Sequence, residues 1–209
     1  MARDDERLAR SQEEPIVGGL PDVPGIGVAM RLTPGLGVHL RGLADELLVN
    51  DFPGATIQRH EREMLATAVS AANDCFFCMD SHGAFAGALL ERENAVHLEP
   101  VIDDIKAGSS EGVSPKMAAL LHIARTVQHA PLKLTQADVV AAHDAGASEG
   151  DVQLAVLIAS GFSMYNRLVD GFRARTAPST EAYRARASEI ADHGYSATPA
   201  SSGAPRTTS

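Results

Sequence analysis

Asn73-Asp74-Cys75-Phe76-Phe77-Cys78-Met79-Asp80-Ser81-His82 holds the only two cysteines of the 209-residue chain. The cysteines are three residues apart and a histidine follows the second by four. An α-helix turns by roughly 100° per residue, so Cys75, Cys78 and His82 fall on one helical face. Asp74 or Asn73 is an N-cap residue type, which would place Cys75 in the first turn, where the helix dipole favours a thiolate. A dithiol with a base in register reads as redox chemistry or as part of a metal site.

The flanking sequence has helical period throughout. Upstream, Met64, Leu65, Ala68, Val69 and Ala72 set a stripe for a helix over Ile57–Ala72, and Glu63 lies on the flank of that stripe. The cysteine helix runs on to about Leu90, with Ala84, Phe85, Ala88 and Leu89 along it. Farther upstream, Pro34 opens a helix to about Val49 whose apolar residues are Leu40, Leu43, Leu47 and Leu48, after a short piece over Ile26–Arg31. Pro15–Gly27 reads as extended or looped. Downstream, helices are expected over Ala95–Ile105, from Ser114-Pro115 to before Pro131, and after the capping box Thr135-Gln136-Ala137-Asp138 up to Gly146. Ser148-Glu149-Gly150-Asp151 repeats the capping device before the most apolar stretch, Asp151–Phe172. That stretch is expected to be the central buried helix or to bury a second face against another subunit. Ser179 would cap a last helix to about Asp192. No period-2 segment is long enough for a strand, so the fold is predicted to be all-α. The predicted organisation is a disordered arm at 1–14, one domain at 15–194 with its redox core at about 57–91, and a disordered tail at 195–209.

Composition narrows the function. Eighteen Lys and Arg against 27 Asp and Glu give a net charge of -9, which argues against a nucleic-acid surface and against anionic membranes. The charged start Met1–Arg7 has no apolar core, so no signal peptide is expected, and no apolar run is expected to reach membrane-spanning length. The protein is expected to be cytoplasmic, where a close Cys pair is catalytic or metal-binding rather than a staple. With no Trp and 4% aromatics, the core must be built from Ala, Leu, Val, Ile and Met, which suits close-packed helices.

A thiolate attacks a peroxide oxygen and becomes a sulfenic acid, and a second thiol one turn away condenses with it to a disulfide. The same pair could exchange with an external disulfide. His82 can take or relay the proton, and Glu63 on the preceding helix could reach and orient His82, although spacing alone does not establish that contact. Helix-start position favours Cys75 as nucleophile; proximity to His82 favours Cys78. The duller alternatives are a pair of small buried hydrophobes and a zinc-binding or redox-sensing module using Cys75, Cys78, His82 and Glu63 without turnover. His39, His60, His97 and His193 read as solvated, and His122, His129 and His143 as edge or core histidines. Asn166-Arg167 reads as structural, pairing with an acidic residue or a partner chain.

Glu63, Cys75-x-x-Cys78 and His82 together resemble the signature of the alkylhydroperoxidase D-like proteins of the carboxymuconolactone decarboxylase superfamily, and in particular their peroxidase-related enzymes. Glu63 through Cys78, Leu134-Thr135-Gln136-Ala137-Asp138-Val139 through Gly146, and Asn166 through Asp170 carry the likeness, which covers about residues 24–175. The resemblance implies an all-α fold of about eight helices that assembles as a homotrimer or homohexamer. It implies a thiol peroxidase or disulfide reductase with no bound cofactor, acting on a peroxide and recharged by a thiol or dithiol reductant. It casts Cys78 as the peroxidatic cysteine, Cys75 as the proton donor that closes the disulfide, and His82 and Glu63 as the proton relay. Phe77 stands where the best-studied members carry a histidine. The decarboxylase branch generally lacks the cysteine pair, so lactone decarboxylation is not expected.

Overall fold

The computed structural model describes Ala9, residues 14–176 and residues 183–196. The predicted 1–14 arm falls almost wholly outside these residues, as do Ser179 and positions 197–209. Among the described residues there are nine α-helices and no strand: α1 (Gly27–Leu32), α2 (Pro34–Leu48), α3 (Arg59–Ala72), α4 (Phe76–Arg92), α5 (Glu99–Lys106), α6 (Pro115–His129), α7 (Gln136–Asp144), α8 (Glu149–Gly171) and α9 (Arg184–His193). Short 3-10 turns at Val96–Leu98 and Pro131–Lys133 lead into α5 and toward α7. The all-α expectation holds, with one helix more than the eight anticipated.

Local chemistry sets the boundaries. Thr33 and Ser114 each cap the helix that follows, accepting from Leu36 N and Met117 N, and each is followed by Pro at the first helical position. The boxes at Thr135/Asp138 and Ser148/Asp151 close as their sequences predict, and Gln58/Glu61 adds a third at the start of α3. Helices α3, α4, α5, α7 and α8 all end alike. The residue two past the cap bonds back to the third-last helical carbonyl, across a left-handed residue: Asp74, Asn94, Gly108, Gly146 and Arg173 respectively.

The core is centred on α3, which packs on α4, α6 and α8. Every residue of α3 from His60 to Ala71 except Glu61 is buried. This corrects the expectation that α8 would be the central helix. α8 buries one face, including Leu154, Ile158, Phe162 and Tyr165, and leaves Leu157 and Met164 exposed. The physical reason is side-chain size: the Ala, Ser and Thr of α3 let neighbouring helices approach on all sides without raising its apolar content. Leu43 of α2 is likewise more exposed than its place in the predicted stripe implied. α8 does have the length and composition to cross a membrane, contrary to the sequence reading, but half of the apolar window is buried inside this fold, as in a core helix.

Polar groups act as joints between helices. Asp151, at the start of α8, accepts from Thr56 N (2.5 Å), Thr56 Oγ1 (2.7 Å), Ile57 N (2.9 Å) and Ser148 N (3.0 Å), tying α8 to the strap before α3. α9 is clamped from two sides. Arg59 donates to the carbonyls of Ala191 (2.9 Å) and Ile190 (3.0 Å), and Arg92 to Ser188 O (3.1 Å) and Asp192 Oδ1 (2.8 Å). His60, expected to be solvated, is buried on α3 with Nδ1 2.6 Å from Glu93 Oε2.

Candidate active site

The link between α3 and α4 is as short as a helical turn allows. Asp74 adopts φ 54°, Asp74 N donates to Ala71 O (3.2 Å), and Cys75 N donates to Ser70 O (3.0 Å). Cys75 therefore closes the terminal turn of α3, and it is also the N-cap of α4, with Met79 N donating to its carbonyl (2.9 Å). Neither Asn73 nor Asp74 is the N-cap of α4. Asn73 ends α3 and Asp74 is its left-handed residue, a conformation that Asn and Asp tolerate as well as they cap. The consequence is chemical. α4 begins at Phe76, so Cys75 is its N-cap and Cys78 lies in its first turn, both at the end where amides have no helical partner. Helix-start position therefore does not separate the two sulfurs, while proximity along the helix to His82 favours Cys78.

The turn is held from outside by Asn166 of α8, a buried residue. It accepts from Asn73 Nδ2 (2.8 Å) and donates to Ser70 Oγ (3.1 Å), while Gln128 Nε2 donates to Asn73 Oδ1 (2.8 Å). The Asn166 carbonyl lies 4.0 Å from Cys75 Sγ. Asn166 is structural, as its sequence context suggested, but its partners are the α3–α4 turn rather than an acidic residue. Arg167 bonds back to Ser163 O of its own helix (2.7 Å).

Both cysteines are free thiols and both are buried, at 0% and 2% exposure. They pack with Val28, Val169 and Ala174, under a half-buried cover of Leu20, Val23, Ile26, Phe77 and Phe172. The Cys75 thiol is pushed far above the usual range by the hydrogen bond it gives to Cys78, then by burial and by the neighbouring charges of Cys78 and Asp170.

Glu63 and His82 meet. The carboxylate is fully buried, and its Oε2 accepts from His82 Nδ1 at 2.7 Å. With Nδ1–H committed to Glu63, Nε2 is the nitrogen left to take a proton. His82 sits edge-on to Phe162 (centroids 4.6 Å) and Phe85 (5.2 Å), an apolar cage that fixes the ring. All four predicted residues therefore share one hairpin: Glu63 on α3, Cys75 at the joint, Cys78 and His82 one turn apart on α4.

Sequence reasoning missed Tyr195, placed by composition in the tail starting at 195. It is buried, and its hydroxyl donates to the other oxygen of Glu63, Oε1, at 2.6 Å and stands 3.3 Å from His82 Nδ1. Burial, followed by the Glu63 charge, holds its phenol well above the usual range, so it stays a donor. An isolated aromatic just past Gly194 was the available signal.

As a zinc site the residues fit poorly. Both Glu63 oxygens are occupied by His82 and Tyr195, and among the described residues no group of three or more His, Cys, Asp and Glu is arranged to hold a metal ion. Of the other histidines, His39, His97 and His193 are exposed, His122 bonds Asp138 (3.0 Å), and exposed His143 bonds Ala147 O (2.9 Å).

The profile of the carboxymuconolactone decarboxylase family matches residues 40–98, a segment that contains all four predicted site residues. No curated protein matches the chain. Two solved structures share the fold. One is a protein of Ralstonia eutropha JMP134 described as an uncharacterized peroxidase-related protein with an alkylhydroperoxidase AhpD core. It is 23% identical, with 90% of each chain covered and a TM-score of 0.65. The other is an uncharacterized peroxidase-related protein of Silicibacter sp. TM1040. It is 20% identical, with 83% of this chain and 93% of that chain covered and a TM-score of 0.64. The matched segment thus spans the α3–α4 hairpin, and the helical architecture, shared over most of the chain, is the fold of those peroxidase-related structures with an alkylhydroperoxidase AhpD core.

Proposed function

We propose that the chain is a thiol-dependent peroxidase that reduces hydrogen or organic peroxides through a Cys75–Cys78 dithiol/disulfide cycle. The observation that carries the reading is the Glu63–His82 contact at 2.7 Å, with His82 one helical turn beyond Cys78. It supplies a buried, oriented base on the face of the helix that bears the thiols. The likeness to peroxidase-related structures supports the same reading.

Cys78 gives its proton to His82 Nε2, and the Glu63 carboxylate stabilises the imidazolium. The Cys78 thiolate attacks one oxygen of the peroxide. The S–O bond forms, the O–O bond breaks, and the departing alkoxide or hydroxide takes the proton from His82. The sulfur is oxidised by two electrons to the sulfenic acid, which keeps one peroxide oxygen, and the other oxygen leaves as the alcohol or, from hydrogen peroxide, as water. The Cys75 sulfur then attacks Cys78. The S–S bond forms, the S–O bond breaks, and the hydroxyl leaves as water with the Cys75 proton. An external thiol or dithiol returns two electrons and two protons and restores both thiols. No bound cofactor is needed. Assembly as a homotrimer or homohexamer and a cytoplasmic setting, which would supply such reductants, belong to the same proposal.

The test is intact mass and thiol titration of the freshly reduced protein before and after one equivalent of hydrogen peroxide or cumene hydroperoxide. The expected result is loss of both thiols and of two mass units, abolished in Cys78→Ser. Thiols that survive peroxide, with zinc retained on native mass measurement, would replace this reading with the metal-binding one.

A further inference from the structure

The hairpin that bears Glu63 and His82 does not hold the carboxylate by itself. Glu63 is fully buried, and its two oxygens have one side-chain donor each: His82 Nδ1 on Oε2 and the Tyr195 hydroxyl on Oε1. Tyr195 lies beyond the family segment 40–98, in the last described stretch of the chain. Its position is set with care. Arg59 and Arg92 clamp α9, and Gly194 turns the chain at φ 74°. Asp45 of α2 then takes the next two amides, Tyr195 N at 2.6 Å and Ser196 N at 2.9 Å. Gly194 leaves room for that carboxylate, since a Cβ there would stand 2.7 Å from Asp45 Oδ1. α9 with its Gly194 turn, Asp45 of α2 and the hairpin's own Arg59 and Arg92 thus converge to deliver one hydroxyl.

We propose that Tyr195 is a positioning residue for the thiol chemistry, holding Oε1 of Glu63 so that Oε2 stays on His82 Nδ1.

This rests on the peroxidase reading for its substrate, but not for its geometry. Without the Tyr195 donor the buried carboxylate has one oxygen unpaired and is no longer held with Oε2 on His82 Nδ1, so the imidazolium that accompanies the Cys78 thiolate loses its fixed partner. The charged or titratable groups around the Tyr195 hydroxyl and its anchor are Glu63 and Arg59 on α3, His82 on α4 and Asp45 on α2. Of these, Glu63 and His82 touch the hydroxyl itself.

The test is the rate of Cys78 alkylation by iodoacetamide against pH, measured in a Cys75→Ser background with Tyr195 intact, Tyr195→Phe or Asp45→Ala. Alkylation reports the thiolate whether or not the protein reduces peroxide. In Tyr195→Phe, which keeps the ring, the midpoint of the profile should move up by about half a pH unit or more, with unchanged helical circular dichroism. Asp45→Ala, which frees the backbone of Tyr195 without touching the thiols, should move it in the same direction. A Tyr195→Phe profile that superimposes on the parent, with Asp45→Ala also unmoved, overturns the proposal and leaves Tyr195 a packing residue. If the parent never reacts with peroxide yet the profile still moves, the positioning role stands and the peroxidase reading falls.

Discussion

Phe77 is seated on Gly25. The glycine has φ 54°, and a Cβ there would overlap the Phe77 ring, whose other side meets Tyr183 edge-on at 5.6 Å. Gly25 N also donates to Arg175 O (2.9 Å), and Asp22 pairs with Arg175. Phe77 therefore pins the segment from Leu20 to Val28 over the thiols. Gly25→Ala adds left-handed strain and a steric overlap, together costing about 2–3 kcal/mol. The expected outcome is a protein that unfolds at lower urea and whose cysteines are alkylated several-fold faster, because the cover no longer closes.

The two sulfurs should behave unequally. Cys75 is held as a thiol by its bond to Cys78 and by burial, which raise its proton affinity, so it carries almost no thiolate at neutral pH. In Cys78→Ser the bond to Cys78 is lost but burial and the Asp170 charge remain, so Cys75 should still react with iodoacetamide several-fold more slowly than Cys78 does in Cys75→Ser. Equal or faster reaction of Cys75, measured by mass spectrometry, would overturn the assignment of nucleophile and donor.

Asp151 should make part of the stability acid-sensitive. Burial raises its proton affinity, but the bonds from Ser148, Thr56 and Ile57 more than offset this and hold it at about 2, against an ordinary 3.8. A folded value below the unfolded one stabilises above pH ~4, and the gain is lost as pH falls toward ~2. It amounts to on the order of 2 kcal/mol. Urea unfolding should find Asp151→Asn less stable than the parent at pH 7, with the gap narrowing at pH 2.5.

Asn166→Ala should loosen the α3–α4 joint, leaving Asn73 Nδ2 and Ser70 Oγ without the partner that bridges them. A loss of about 2 kcal/mol is expected by denaturant unfolding, together with slower closure of the disulfide after peroxide, read by quenched thiol titration.

Much of this architecture was readable from local signals, because the signals are local in cause. The boxes at Thr135 and Ser148, the prolines at 34 and 115 and the glycines at 108 and 146 each act within a few residues of themselves. The hairpin site was readable because helical register carries Cys78 and His82 to one face. The rest depends on contacts that sequence neighbours do not report. His60 has polar neighbours in the chain, yet its partner Glu93 comes from the far end of another helix. Asp74 has two equally good local roles, and only the tertiary anchor on Asn73 decides between them. Tyr195 is followed by a polar, proline-containing run, and its burial is imposed by α9 and Asp45.

The matched segment 40–98 carries all four candidate site residues, while the parts that enclose and steady them come from elsewhere: Val23 and Val28 before it, Asn166, Val169 and Ala174 after it, and Tyr195 at the far end. The proposed chemistry and its tuning would thus reside in separable stretches of chain. Substitutions in the outer stretches can alter access, acidity or turnover while the recognisable motif stays untouched. Two proteins sharing that motif need not share a rate or a preferred oxidant, and grafting residues 40–98 into a foreign helical scaffold would transplant the reagents without their calibration.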